Sequence, residues 1–311
     1  MEPIFPMEPI SCDIIPQGPD WIAQVKWDGV RVLTYSDDLG VRLYNRKLNE
    51  RTLHYPEIAA INSYCSAQSV ILDGEVIAFG PDGKPSFYEV MRRDGLRRME
   101  KVPQLQKVVA ITYMIFDVLY LNGEWVTSSS LSERQNMLST IIKPNPHIQL
   151  VENFTDTEAL FDVVQAQKME GIVIKDLNSR YVMNKKDPAW QKKKYYRDLI
   201  AVIGGVTVKN GIVNSLLLGL YDKDGAFWYI GHAGTGKLTQ QDWRTLTEQI
   251  QPLIRPDRPF ANQPPRTADT MWLQPELTAK IHFAEWVPGH SLRQPSIQAI
   301  VNIPPHQCTL E

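Results

Sequence analysis

Beyond residue 198 the chain is a succession of short apolar segments, at 199–208, 215–221, 227–233, 277–287 and 296–303. Each reads as a β-strand bounded by turn residues, and this texture limits the possible folds more than anything else in the sequence. A single helical stretch, roughly 239–253, lies between the third and fourth segments. Five short strands with one helix in that place make a small Greek-key barrel. The proline-rich stretch 252–265 reads as a long loop within it.

The first half is strand-rich too, with runs at 21–26, 30–36, 40–45, 69–79 and 108–120. Ser130-x-x-Glu133 reads as a capping box opening a helix through Ile142, and Thr155-x-x-Glu158 as another through about Gln167. Gly171-Ile-Val-Ile-Lys175 follows as a short buried strand. Between the halves lies a basic segment, Asn184 to Arg197, with Lys185, Lys186, Lys192, Lys193, Lys194 and Arg197 against Asp187. We therefore expect an α+β chain of two domains, residues 1–198 and 199–311, with enough material for two cores.

A formal net charge of −2 means that any affinity for nucleic acid must come from local basic patches. Three scattered cysteines form neither a disulfide framework nor a C-x-x-C metal knuckle, which points to a reducing compartment and away from structural zinc. The N-terminus has no signal-peptide pattern, and no apolar run is long enough to span a bilayer. The expectation is a cytoplasmic monomer.

Glu75, Glu170 and Lys175 interrupt runs that otherwise read as buried strand. An unpaired buried charge is costly, so each must be paired, metal-bound or at a strand end facing a cleft. Taken alone, Asp73-Gly74-Glu75 reads first as an exposed hairpin turn, and Glu170-Gly171 also fits a common helix-to-strand turn with a capping glycine. Together with Lys26, Lys192 and Lys194 they form a complementary set. Carboxylates offer magnesium hard oxygen ligands, and lysines neutralise phosphate oxygens. On a strand, Trp190-x-Lys192-x-Lys194 puts both lysines on one face, although such a charge run is more often a solvated surface. Neither a Walker loop nor a dinucleotide G-x-G-x-x-G is present, so side chains would have to hold a nucleotide.

Lys26-Trp-Asp-Gly-Val-Arg31 sits between two strand runs, and Asp28-Gly29 is a hairpin-type turn signal. A lysine fixed at a strand end beside a tight turn is placed for covalent catalysis by its amine. The hexapeptide alone reads equally as a surface hairpin with solvated charges.

In order along the chain, these pieces resemble the covalent nucleotidyltransferase superfamily of ATP-dependent DNA ligases, RNA ligases and capping enzymes. The motifs are Lys26-Trp-Asp-Gly-Val-Arg31, Tyr44-Asn-Arg46 with His54-Tyr-Pro-Glu57, Asp73-Gly-Glu75, Phe116-Asp-Val-Leu-Tyr120, Glu170-Gly-Ile-Val-Ile-Lys175 and Trp190-Gln-Lys192-Lys-Lys194. Glu285-Trp286 with Leu292-Arg293-Gln-Pro295-Ser resembles the last motif of bacterial end-joining DNA ligases. The match runs from about residue 8 to 303.

The resemblance implies a nucleotidyltransferase domain, with ATP-grasp-like antiparallel sheets and helices, followed by an OB-fold barrel. It implies an ATP-dependent DNA ligase that seals 5′-phosphate/3′-hydroxyl nicks in bacterial DNA repair. Lys26 would be the nucleophile that forms lysyl-AMP, with Lys175, Lys192 and Lys194 on the α-phosphate. Gln24 and Val25 would lie beside the base and Phe116 would stack on it. Glu75 and Glu170 would bind nucleotide and metal, magnesium or manganese. Arg31 and Arg46 would touch nucleotide and DNA, and Arg293 the β- and γ-phosphates. Gln24 stands where this family often has a glutamate that accepts from the adenine amino group; a glutamine carbonyl can still accept, but its NH₂ can donate.

With only 25 residues before Lys26 and few cysteines, ATP rather than NAD is the expected donor. With no room for a separate N-terminal DNA-binding module, two domains would close round nicked duplex DNA, with an end-binding repair protein as a further partner. Arg92, Arg93, Arg97 and Arg98 are candidate phosphate contacts, and equally a solvated surface. The alternatives are an RNA ligase or guanylyltransferase of the same superfamily, and a non-catalytic OB-fold nucleic-acid binder using Trp228, Tyr229 and Trp243.

Overall fold

The structure, a computed structural model, describes residues 1–265, 267–286, 289 and 291–310. Two compact units divide the chain, Met1–Tyr195 and Tyr196–Glu311.

The first unit holds two sheets. In the smaller, the strand order in space is Glu8–Ser11, Lys186–Lys194, Gly171–Asp176 and Trp21–Val25. The larger runs Gly40–Asn45, Val30–Asp37, Val70–Ala78, Ile111–Leu121 and Glu124–Trp125, with Ile148–Leu150 also beside Ile111–Leu121. Side chains alternate across a strand, and here both faces of the larger sheet are covered. Val32, Leu72, Val76 and Tyr113 pack with Leu138 and Ile141 of the helix Leu131–Ile141. Leu33, Tyr35, Ile71 and Leu119 pack on the other face with Trp190 and Tyr181. That two-sided burial accounts for the almost unbroken apolar run from Val70 to Ala78. Asp73 and Glu75 share the parity of Ile71, so they lie on the face that meets the smaller sheet.

Trp21–Val25 and Val30–Asp37 do not form the hairpin that Asp28-Gly29 suggests, because they belong to different sheets. Residues 26–29 are instead a crossing from the smaller sheet to the larger. Gly29 permits it, since a Cβ there would collide with the carbonyl of Val76. Asp73-Gly74-Glu75 is likewise no turn but the middle of a nine-residue strand. The Ser130–Glu133 capping box forms as read. The helix Thr157–Ala166 is capped by Asp156, whose carboxylate accepts from the Ala159 N–H, and not by Thr155. Aspartate is preferred over threonine at an N-cap, and moving the cap by one residue moves the capped amide from Glu158 to Ala159.

In the second unit, Arg197–Lys209 pairs with Ile212–Tyr221, Thr270–Leu273 and Thr278–Phe283. Phe227–Ala233 and Ser296–Val301 extend the sheet on its two sides. Ile297 then bonds through its N–H to Thr235 and through its carbonyl to Lys237, at 2.8 and 2.7 Å, so the sheet closes on itself. Arg197 and Asp198 pair with Phe283 and His282, so residues 196–198 belong with this barrel rather than with the preceding domain. Within the supposed loop 252–265 lies a two-residue strand, Ile254–Arg255. Tyr229 is in the barrel core and Trp243 packs against it, so the row of exposed stacking aromatics expected of a single-strand binder is not formed. Among the described residues no helix is long and apolar enough to cross a membrane.

Candidate active site

The site lies on the face of the smaller sheet that meets the larger one. Strand pairing sets Gln24, Val173 and Lys192 in one row and Ile22, Lys175 and Trp190 in the next. Directly opposite residues share a face, so Lys26 and Lys194 continue this face at its open end. There the Lys26 N–H bonds the Gly171 carbonyl at 2.9 Å, while Lys194 pairs with Gly171 from the other side. Gly171 adopts φ +147°, and a Cβ on it would strike the carbonyl of Lys193. Glycine therefore lets Glu170 turn in between two strands.

Glu170 holds both cations. Its Oε2 accepts from Lys26 Nζ at 2.7 Å, and its Oε1 lies 3.0 Å from Lys194 Nζ. Burial works against the charge on Glu170, but Lys26 and Lys194 outweigh it and hold the carboxyl below its ordinary range. Glu75 behaves oppositely. Burial pushes it up to about 8, Glu170 and Asp28 push the same way, and Lys26 and Arg31 only partly oppose them. Lys192 is lowered by burial and by the charges of Lys26 and Lys194. Lys26, Lys192, Lys194, Glu170 and Glu75 thus form one electrostatic cluster.

Lys175 is not brought to that cluster. Four residues along the strand separate it from Gly171, about 13 Å at the usual strand rise. It is 2% exposed, its Nζ has no hydrogen-bond partner among the described residues, and it lies 3.9 Å from the centre of the Trp190 ring and 4.3 Å from that of Phe116. Burial lowers its pKa to about 7, despite Asp117 and Asp73 nearby. Phe116 meets Trp190 edge to face.

Arg31 presents no open fork to a phosphate. Its Nε and Nη2 grip the buried carboxylate of Asp73 at 2.9 and 2.6 Å, and Nη1 donates to the Met7 carbonyl at 2.7 Å. Tyr181 completes the group by donating to Asp73 at 2.6 Å. Behind it, Arg134 and Asp117 form a second, wholly buried bidentate pair. Nothing at sequence level marked Tyr181 or Arg134 as part of this network. Asp73 was visible only as a neighbour of Glu75.

Gln24 is buried and donates from Nε2 to Asn153 Oδ1 at 2.8 Å. Val25 ends its strand, half-buried. Arg46 is 59% exposed in the turn after Gly40–Asn45, with a distant pairing to Glu8 at 3.8 Å. Arg92 is exposed and paired with Glu89 one helical turn away. Arg93 is not available to DNA. It is fully buried, with both Nη atoms on the Glu57 carboxylate and further bonds to the His54 and Val109 carbonyls. Arg97 and Arg98 are exposed. In the second unit, Arg293 bridges in antiparallel fashion to Glu285, and their side chains lie 3.8 Å apart.

The family model for the ATP dependent DNA ligase domain matches residues 9–194, and that for the ATP dependent DNA ligase C terminal region matches residues 209–301. The chain belongs to the ATP-dependent DNA ligases. It is 30% identical over 283 residues to the multifunctional non-homologous end joining protein LigD of Mycobacterium bovis, covering 89% of this chain and 35% of that protein. The chain therefore spans about a third of the length of this relative. It is 31% identical over 192 residues to the SPbeta prophage-derived DNA ligase-like protein LigB of Bacillus subtilis, covering 61% of this chain and 67% of the other. Among solved structures it resembles mycobacterial DNA ligase D complexed with ATP and MES, at 26% identity and a TM-score of 0.55 over 99% of this chain and 98% of that one. The ligase fold, a nucleotidyltransferase domain with a C-terminal OB-fold, is thus the fold of this chain.

Proposed function

We propose that this ligase seals 5′-phosphate/3′-hydroxyl nicks in duplex DNA, taking AMP from ATP onto Lys26. The observation that carries the reading is the single carboxylate, Glu170, gripping both Lys26 and Lys194 at the crossing between two sheets. In the first step Lys26 Nζ forms a bond to the α-phosphorus of ATP, pyrophosphate leaves, and the amine gives up its proton. Glu170 is the acceptor in hydrogen-bond reach of that amine. Lys192 and Lys194 flank the place where negative charge grows on the phosphoryl oxygens. AMP then passes to the 5′-phosphate of the nick, and the 3′-hydroxyl displaces it to close the strand. Gln24 and Phe116 border the base on this reading, and Arg46, exposed near the surface, meets the DNA. Arg293 is the group of the second unit that orients the pyrophosphate.

The donor chemistry fits a divalent cation. Burial raises Glu75, with Glu170 and Asp28 adding to it, and a bound cation would favour its charged form. Magnesium is commonly bound through one or two carboxylates plus substrate phosphates, a donor set that Glu75 and Glu170 could share with a nucleotide. Glu75 and Glu170 would hold Mg²⁺ or Mn²⁺, which supplies positive charge at the phosphates. Similarity to a non-homologous end joining protein supports a role in bacterial DNA repair; the reading further takes the chain as a cytoplasmic monomer that works beside a DNA end-binding protein.

Incubation with labelled ATP and magnesium tests the reading. The protein should take up an acid-stable, lysine-linked label, lose it with Lys26→Ala, and seal a nicked DNA duplex with ATP but not NAD. Preference for GTP, or for nicked RNA, would reverse the assignment within the superfamily. Absence of any label would return the chain to a binding role.

A further inference from the structure

Gln24 lies two residues before Lys26 and, by strand parity, on the same face, in the row of Val173 and Lys192. A glutamate at this position could only accept a hydrogen bond. A glutamine has an accepting end and a donating end, and the two ends prefer opposite purines. Its carbonyl suits the 6-amino group of adenine, whereas its NH₂ suits the 6-oxo group of hypoxanthine or guanine. Gln24 can therefore select adenine only if its amide is prevented from turning over.

The structure contains a holder. Asn153 Oδ1 accepts from Gln24 Nε2 at 2.8 Å and from Gln135 Nε2 at 3.2 Å, while Asn153 Nδ2 donates to Gln135 Oε1 at 2.7 Å. In this arrangement the amino end of Asn153, an exposed residue, is on Gln135 and its carbonyl is on Gln24. Gln24 Oε1 accepts no hydrogen bond among the described residues. The backbone fixes Asn153 in turn: the next residue, Phe154, exchanges N–H···O bonds of 2.8 and 2.9 Å with Ala23, the neighbour of Gln24. Gln135 stands on the helix Leu131–Ile141, whose start is pinned by the Ser130–Glu133 capping box.

We propose that Asn153, backed by Gln135, is a positioning residue that holds the Gln24 amide carbonyl-first towards the base and so makes this ligase select ATP over 6-oxopurine nucleotides. The inference rests on the reading that Lys26 takes its nucleotide on the face bordered by Gln24.

The test compares the rate of lysyl-nucleotide formation from ATP and from inosine triphosphate, which differs from ATP at the 6-position. The ratio of the two rates is insensitive to the fraction of protein folded. In Asn153→Ala the amide is released, and the ATP:ITP ratio should fall about five- to tenfold, the usual weight of one hydrogen bond. In Asn153→Asp the side chain can only accept, and the ratio should stay within about twofold of wild type, again less than one hydrogen bond. In a Gln24→Glu background, which cannot present a donor, adding Asn153→Ala should leave the ratio unchanged. An unchanged ratio in Asn153→Ala overturns the proposal. So does a fall in Asn153→Asp, which would mean that Asn153 offers its amino end instead. Failure of the wild type to take label from either nucleotide would instead sink the functional reading on which the inference depends.

Discussion

Replacing Lys175 by methionine should make the first unit more stable, and the gain should shrink as pH rises. Lys175 is buried, its Nζ meets no hydrogen-bond acceptor among the described residues, and burial brings its pKa to about 7 from an ordinary 10.5. The unfolded chain keeps the proton up to its ordinary value, whereas the folded chain releases it near neutrality. Between those limits the unfolded state binds more protons, so stability rises with pH; below about 7 the penalty is complete. At about 1.4 kcal/mol per pH unit, the penalty is about 5 kcal/mol at pH 6, about 3 at pH 8 and about 2 at pH 9. Cation–π contact with Trp190 and Phe116 offsets about 2 kcal/mol of this while the amine is charged. Methionine fills similar volume and keeps the sulfur near both rings. Lys175→Met should therefore gain about 3 kcal/mol at pH 6 and about 2 kcal/mol at pH 9, where the folded amine is neutral and the ring contact offsets nothing, reaching zero only above about pH 10.5. Urea unfolding of the full chain across that pH range, followed by tryptophan fluorescence, measures it. A variant less stable than wild type by the same amount at every pH would refute the reasoning, since it would mean that the ammonium is compensated. The same variant also decides the role of Lys175. Lysyl-AMP formation should stay within about fivefold of wild type if the side chain only supports Phe116, whereas a loss of a hundredfold or more would put it on the α-phosphate as a source of transition-state charge stabilisation.

Binding of ATP with magnesium should tighten as pH rises towards 8, by about tenfold per pH unit, because Glu75 must lose its proton to act as a ligand. Titration calorimetry at several pH values reads this slope, and Glu75→Gln should flatten it. Arg293→Ala should slow lysyl-AMP formation while sparing the sealing of a pre-adenylated nick; equal loss in both assays would remove its assigned role. Arg93→Ala should destabilise the first unit by about 3–5 kcal/mol, since Glu57 is left with an uncompensated charge, while the salt dependence of DNA binding stays unchanged. A shallower salt slope in that variant would return Arg93 to the DNA surface.

Strand texture and capping, which are local properties, indicated two strand-rich domains with a small barrel as the second, and the ligase fold came from the resemblance carried by the ordered motifs. What they could not carry was the partner of each strand. Asp28-Gly29 encodes a change of direction equally well within one sheet or between two, so the hairpin reading and the observed crossing are indistinguishable at that level. Arg92 and Arg93 are adjacent and chemically identical. Only the helix Phe87–Asp94, which was not anticipated, turns one towards solvent and the other into the core. Lys175 shares its motif with Glu170, yet four residues of strand carry it away from the carboxylate that holds Lys26.

One part of the site was nonetheless open to a stricter reading of parity. From Val70 to Ala78 the even positions carry Leu72, Gly74 and Val76, while the odd ones carry Ile71, Asp73 and Glu75. Asp73-Gly74 also permits a hairpin tip, but read as one continuous strand the run places Asp73 and Glu75 on the same face, between Ile71 and Ile77. Its acidic face must meet a second layer that brings cations, or the burial could not be sustained. Arg31 meets that need for Asp73 through a bidentate grip. Glu75, which no lysine or arginine clasps in an ion pair among the described residues, is the carboxyl left to take up charge from whatever the site binds.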